Sequence, residues 1–282
     1  MRARKLKNLD ERFEMYASAL EEDPYAWRAS WQSWQPSTRN ALRGPVSPAK
    51  RWNEVCLDLG SGKGESTVRN ALNRPDILFI GIDNIESCVA LSAQKAVEAG
   101  AANVVFVCAD AFDILDIFAP GEISCIYLSF PSPFPKKKHA EKRLTHFEHL
   151  SRYRSLLADG GSIRFTTDSV PLFEFSLIQF EIAGYEVHWL TRDLAEEHPE
   201  RILTGYEKRL IAKGAKIHAL EAAPGEEPAE MVQRAPLSLV EYLPEDLSTL
   251  EYVPYGMEDT VFNMSNRQAN ARRREERERG AR

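Results

Sequence analysis

Apolar residues recur along this chain as short unbroken runs separated by longer segments of mixed polarity. The runs at 54–59, 78–83, 104–109, 123–130 and 161–167 have strand length and no polar alternation, the pattern of strands buried on both faces. Helix-like segments lie between the first four runs, and a basic helix is expected before the last. Glu86 to Ala99 is the clearest: strong helix formers, closed by Gly100 where a helix commonly ends in a left-handed residue. Further apolar runs at 185–190 and about 205–211 are expected to complete the sheet. Strands alternating with helices predict a mostly parallel, seven-stranded α/β sheet with helices on both faces and right-handed crossovers.

The flanks differ from this body. Residues 1–50 read as an N-terminal extension, basic and aromatic: a short helix over Leu9 to Glu22, then Tyr25, Trp27, Trp31 and Trp34 between Pro24 and Pro36. The tryptophans fit a hydrophobic flap against the sheet, with stacking on RNA as the alternative. Residues 51–220 form the body. After Leu220 the run Glu221-Ala-Ala-Pro-Gly-Glu-Glu-Pro-Ala-Glu has linker composition. An aromatic and apolar stretch follows, then an Arg/Glu tail in which Arg272 to Arg279 suit a solvated helix. Residues 221–282 are therefore expected to be an acidic linker and a partly disordered tail.

Charge changes this picture more than composition does. The chain of 282 residues carries a formal net charge of −6. Between Glu221 and Asp259 there are ten acidic residues and one basic, a balance of −9, which leaves +3 for the rest. Seven arginines against three glutamates close the chain, and four basic groups fall in its first seven residues. A mildly basic body with basic ends suits a polyanion. The apolar runs are too short for a membrane span. The basic start lacks the apolar stretch of a signal peptide. The four cysteines (Cys56, Cys88, Cys108, Cys125) lack metal spacing. A reduced, cytoplasmic protein without metal or membrane partner is the expectation, with monomer and homodimer both open.

Candidate chemistry gathers where the runs end. Leu57-Asp58-Leu59-Gly60-Ser61-Gly62-Lys63-Gly64-Glu65 closes the first run, and its alternate glycines allow a sharp turn and close approach to a ligand. Asp83 ends the second run and can accept from both hydroxyls of a ribose; Asp110 follows the third and can meet the amino group of an adenine. The glycine spacing is not that of a dinucleotide cradle, so these acids predict nucleoside binding. After the fourth run comes Ser129-Phe-Pro-Ser-Pro-Phe-Pro-Lys-Lys-Lys-His139. Prolines at every second position exclude helix interior and central strand. The segment is a stiff basic loop at a strand's carboxyl end, where open α/β sheets place ligands.

These residues resemble the S-adenosylmethionine-dependent class I methyltransferases, and among them the bacterial tRNA (guanine-N7) methyltransferases. Phe130-Pro-Ser-Pro-Phe-Pro-Lys-Lys-Lys-His with Lys142-Arg143-Leu144 looks like that family's F-P-D-P-W-P-K-x-x-H and its trailing R-L. Thr167-Asp168 is similar to its T-D, and Thr204-Gly205-Tyr206-Glu207 with Gly214 and Ile217 to its T-x-Y-E…G-x-x-I. A weaker echo lies in the N-terminal Arg-x-Arg-Lys-x-x-Asn-Leu. The resemblance implies a class I, Rossmann-like fold, S-adenosyl-L-methionine as cofactor, tRNA as substrate, and methylation of guanine N7 in the variable loop (position 46 of the standard tRNA count). It implies cofactor contacts from Asp58, Gly60, Gly62, Asp83, Asp110 and Ser132. Lys136, Asp168, Thr204, Gly205, Tyr206 and Glu207 would hold the guanosine and nearby tRNA, with Ser132 and Asp168 as the catalytic positions. The chain departs from the family at Ser132 (aspartate there), Phe134 (tryptophan) and Asp58 (glutamate). A neutral serine in place of a carboxylate leaves Asp168 or Glu207 to recognise guanine. It also leaves two rival readings: a weak or inactive tRNA-binding relative that keeps the cofactor site, and a methyltransferase redirected to another acceptor.

Overall fold

The computed structural model describes residues 6–36, 51–254 and 256–280; the basic Arg2, Arg4 and Lys5 lie outside the described residues. The body runs β2 (Glu54–Leu59), α2 (Glu65–Asn73), β3 (Ile77–Asp83), α3 (Glu86–Glu98), β4 (Val104–Cys108), α4 (Ile114–Ile117), β5 (Ile123–Ser129), α5 (Phe147–Leu156), β6 (Leu157–Thr167) and α6 (Val170–Ile182). It closes with β7 (Tyr185–Thr191), α7 (Leu194–Glu197), α8 (Gly205–Ile211) and β8 (His218–Pro224). Ahead of it lie α1 (Leu9–Met15) and β1 (Leu20–Glu21), and behind it α9 (Glu258–Gly280).

The sheet order is β1-β4-β3-β2-β5-β6-β8-β7, parallel from β1 to β6, with β8 antiparallel to both β6 and β7. Eight strands replace the predicted seven because Leu20 and Glu21 pair with Phe106 and Val107 at the β4 edge. The other seven form the expected α/β sheet with helices on both faces. One face packs Cys56, Phe79 and Phe106 against Val68 and Ala71 of α2 and Val89 and Ala93 of α3. The opposite face packs Leu57, Ile80, Ile126 and Phe165 against Leu150 and Tyr153 of α5 and Leu172 and Phe173 of α6. The predicted α3 terminus holds: Gly100 has φ +69, and Ala101 N donates to the Ala96 carbonyl at 2.9 Å.

Other expectations change as well, beginning with the N-terminal helix expected over Leu9 to Glu22, which ends at Met15. The run at 205–211 is helix α8, not a strand, because Thr204 and Glu207 make a reciprocal capping box that starts a helix. The seventh body strand is instead β8, which carries the sheet through Glu221 to Pro224, where linker composition had suggested its end. The basic segment after the proline loop is a 3-10 helix, Lys137–Lys142, instead of an α-helix. The segment beyond β8 is packed rather than loose: Ala235, Leu239, Leu247, Met257 and Val261 are buried. The tail does form a helix, α9, as Arg272 to Arg279 suggested.

The N-terminal tryptophans form the expected flap. Trp31 and Trp34 are buried, and the Trp31 indole N–H donates to the Ile117 carbonyl at 3.1 Å. Both Trp27 and Trp34 donate to the Glu21 carboxylate, at 2.9 and 3.0 Å. His146 and His149, which flank the start of α5, are buried. Among the described residues, no helix is long and apolar enough to cross a membrane.

Candidate active site

The order of the sheet reverses direction between β2 and β5, whose Asp58 and Tyr127 are register partners. Ligands of open α/β sheets bind outside the strand ends at such a switch point. The glycine loop leaves β2 there and the proline loop leaves β5, so both sequence motifs converge on one crevice.

On the β2 side, Gly60, Gly62 and Gly64 have φ of +70, +56 and +66, a conformation that side chains resist. Gly60 N and Ser61 N both donate to the Ile82 carbonyl, folding the loop across the end of β3. Asp83, the last residue of β3, accepts from Gly62 N and from Ile85 N, each at 2.9 Å. Burial raises its carboxyl above the usual range, against those two bonds. Asp110, two residues beyond β4, accepts from Phe112 N at 3.1 Å. Both aspartates thus close Asx turns that turn Ile85 and Phe112 outward, 40% and 51% exposed. Apolar surface beside each carboxylate suits a planar base next to a ribose, and sequence reading missed these two residues because each follows its acid as an ordinary apolar neighbour.

Asp58 is the penultimate residue of β2, 2% exposed. Its Oδ2 accepts from the Thr67 hydroxyl at 2.6 Å, while its Oδ1 and the nearby loop hydroxyl of Ser61 are buried without a hydrogen-bond partner among the described residues. Desolvation pushes the Asp58 carboxyl up to about 7, a rise that the Thr67 bond only partly opposes. An orphaned acceptor, an orphaned hydroxyl and a glycine cradle fit a cationic amino-acid group joined to a nucleoside. The residues present therefore fit S-adenosylmethionine.

On the β5 side the proline loop is pinned. Pro131 and Pro133 are buried, and Ser132 between them is exposed, as is Lys136. Phe130 and Phe134 hold φ of +51 and +43, unusual for aromatic residues and costing on the order of 1–3 kcal/mol each. Surrounding bonds impose this backbone. Phe130 N donates to the Thr166 carbonyl at 2.8 Å, and its ring meets Tyr206 edge-on at 5.2 Å. Arg143, which the sequence offered only as part of the motif's trailing R-L, is wholly buried. Its guanidinium donates to the carbonyls of Pro133 (3.0 Å), Phe134 (2.8 Å) and Leu237 (2.8 Å) and lies over the Phe175 ring. Desolvation pushes its ionisation down to about 10.

Asp168 follows β6 at the start of α6, buried, and accepts from the Tyr252 hydroxyl at 2.5 Å. Thr204 to Glu207 reach the glycine-loop side instead. Gly205 N donates to the Glu65 carboxylate at the start of α2, and Glu207 takes Arg69 (3.2 Å) and Arg201 as ion partners besides its bonds to Thr204. Burial would raise the Glu207 carboxyl, but the Thr204 N–H and the Arg201 charge outweigh it and hold the carboxyl below the usual range. Glu207 is thus bound into the scaffold, whereas Asp168 borders a cavity of about 250 Å³. A larger cavity, about 730 Å³, lies between α2 and β5, β6 and β8 and touches Phe130 and Glu207 but none of the strand-end aspartates. Size favours the larger space; the convergence of motifs favours the crevice at the switch point.

Comparison with known proteins agrees with this arrangement. The family model "Putative methyltransferase" matches residues 52–220. A tRNA (guanine-N(7)-)-methyltransferase of Halalkalibacterium halodurans is 34% identical over 202 residues, covering 71% of this chain and 86% of the relative. One from Limosilactobacillus reuteri is 33% identical over 224 residues, 79% of this chain and 99% of the relative. One from Exiguobacterium sibiricum is 38% identical over 174 residues, 61% and 82%. A glycine cradle and a proline loop facing each other across the switch point, in a chain that spans nearly the whole of such relatives, leave one conclusion: the chain belongs to the tRNA (guanine-N(7)-)-methyltransferase family.

Proposed function

We propose that the protein methylates N7 of a guanosine in tRNA, using S-adenosylmethionine. The observation that carries this reading is the meeting of the β2 glycine loop and the β5 proline loop at adjacent strand ends. Asp58, Gly60, Gly62, Asp83 and Asp110 hold the cofactor, with Ile85 and Phe112 flanking its base. When bound, the cofactor supplies an electrophilic methyl group on a sulfonium.

The remaining work belongs to the chain's own groups. Guanine N7 already carries an in-plane lone pair, so no side chain has to remove a proton to create the nucleophile. Rate comes from holding that atom in line, worth several orders of magnitude when orientation is tight. The rigid proline loop, fixed by Arg143, forms the floor against which the base is held. The methylated guanine is cationic, and the Asp168 carboxylate stabilises it while accepting from N1–H and N2–H on the Watson–Crick edge. The base reaches this depth only when splayed from its neighbours. Ser132 offers a neutral hydroxyl at the loop's tip, Lys136 a charge for the adjoining phosphate, and Thr204 to Glu207 clamp the acceptor side onto α2.

Incubation with labelled S-adenosylmethionine and unmodified tRNA, followed by digestion, tests the reading. Label in 7-methylguanosine is expected. Label in another nucleoside, or cofactor binding without product, would overturn it.

A further inference from the structure

Residues 225–254, with Gly256 and Met257, lie beyond the span that the family model matches, yet they close over the acceptor side of the crevice. Leu239 N donates to the Pro135 carbonyl at 3.0 Å, and the Leu237 carbonyl shares the Arg143 guanidinium with Pro133 and Phe134. Buried Met257 lies with its sulfur 3.9 Å from the Ser169 hydroxyl, one residue past Asp168. Within this frame Tyr252 packs its ring on the cluster of Leu194, Leu210 and Ile217 and directs its hydroxyl to Asp168 Oδ2. The cavity that Asp168 borders has Pro171 and His218 on one wall and Tyr242, Leu250 and Tyr252 on the other. The additional segment therefore builds half of it.

We propose that Tyr252 is a positioning residue for the acceptor carboxylate: its hydroxyl fixes the Asp168 side chain in the orientation that selects guanine. This rests on the reading that Asp168 accepts from the guanine edge. A carboxylate accepts up to about four hydrogen bonds, and the tyrosine takes one of these places on Oδ2. A carboxylate at the head of a helix can turn about its side-chain torsions, and two-point recognition of N1–H and N2–H requires one fixed plane. The tyrosine is itself held by ring packing, so the constraint passes from core to carboxylate. Ser132 adds no charge to the loop, which leaves discrimination resting on Asp168 and on whatever fixes it.

Two acceptor tRNAs separate the possibilities, one carrying guanosine and one inosine, which lacks the N2 amino group, at the modified position. Tyr252→Phe keeps the ring and removes only the hydroxyl. It is expected to lower kcat about tenfold, to leave KM for tRNA unchanged, and to shrink the preference for guanosine over inosine. Tyr252→Leu, which also loses ring packing, should do the same and melt earlier. If Tyr252→Phe keeps both rate and preference while Asp168→Asn loses them, the tyrosine only packs and the proposal falls alone. If Asp168→Asn keeps the preference, the guanine-edge reading falls, and this inference with it.

Discussion

The Arg143 guanidinium donates to the Leu237 carbonyl at 2.8 Å, across a separation of 94 residues, and so ties the anchor of the proline loop to the C-terminal segment. The same group grips the two carbonyls beside the left-handed Phe134. Lysine at this position retains the charge but presents one point donor where arginine presents a planar fork. Arg143→Lys is expected to lower stability by about 2–3 kcal/mol, since carbonyls taken from water lose their donors. Urea unfolding should show an earlier midpoint at unchanged slope. Turnover should fall by more than cofactor affinity does. An unchanged midpoint would mean that the loop holds its shape without the arginine.

The division of labour between Ser132 and Asp168 gives a second expectation. Ser132 carries an exposed hydroxyl, Asp168 a buried carboxyl. Asp168→Asn should abolish turnover with cofactor binding intact, whereas Ser132→Ala should change it little. Ser132→Asp should raise turnover by about tenfold, the worth of replacing a neutral by a charge-assisted hydrogen bond. Single-turnover methylation of tRNA measures all three. Equal, small effects from Asp168→Asn and Ser132→Ala would remove Asp168 from the acceptor site.

Which parts of this site were legible in the sequence follows from how far each contact reaches. Asp83 and Asp110 could be placed because an acid at the end of an apolar run falls at a strand end whatever the rest of the chain does. The glycine and proline loops announced their backbone through residue type alone. Arg143 and Tyr252 were visible as residues but not as roles. Their partners are carbonyls and a carboxylate brought together only by folding, the latter across a separation of 84 residues. The error over 205–211 has a local cause. Tyr206, Leu210 and Ile211 have strand character, and a capping box whose Thr204 also begins the closing motif outweighs it.

Two glycines of the loop should respond differently to the same change. A Cβ on Gly64 would lie 2.7 Å from Ser92 Cβ and 2.8 Å from the Phe106 ring, whereas one on Gly62 meets nothing within 4 Å. Both hold positive φ, which costs any side chain roughly 1–2 kcal/mol. Gly64→Ala adds overpacking on the order of 1–3 kcal/mol and should melt markedly earlier. Gly62→Ala should melt only slightly earlier but lose cofactor affinity, because its methyl group projects from the loop that lines the crevice. Thermal melting with and without cofactor separates the two, and similar behaviour of both variants would contradict the assignment.

Asp58 sets a pH dependence whose sign is unusual for a carboxylate. Burial raises its pKa from 3.8 to about 7 in the folded protein. Between those values the folded chain binds a proton that the unfolded chain does not, so stability falls as pH rises through this window and levels off above it. The loss is of order 4 kcal/mol at about 1.4 kcal/mol per unit. Asp58→Asn cannot ionise, so without cofactor it should be more stable than the parent at pH 8, less markedly so at pH 5, and comparable below about pH 4. A cationic cofactor group beside Asp58 favours the ionised form, so cofactor affinity in the parent should rise from pH 5 to about 7 and then flatten, with proton release below pH 7. The variant should bind more weakly and without that slope. Titration calorimetry in buffers of different ionisation heat measures the released proton directly. If the parent releases none at pH 6, Asp58 is already ionised and the orphaned oxygen is not where the cofactor's charge is held.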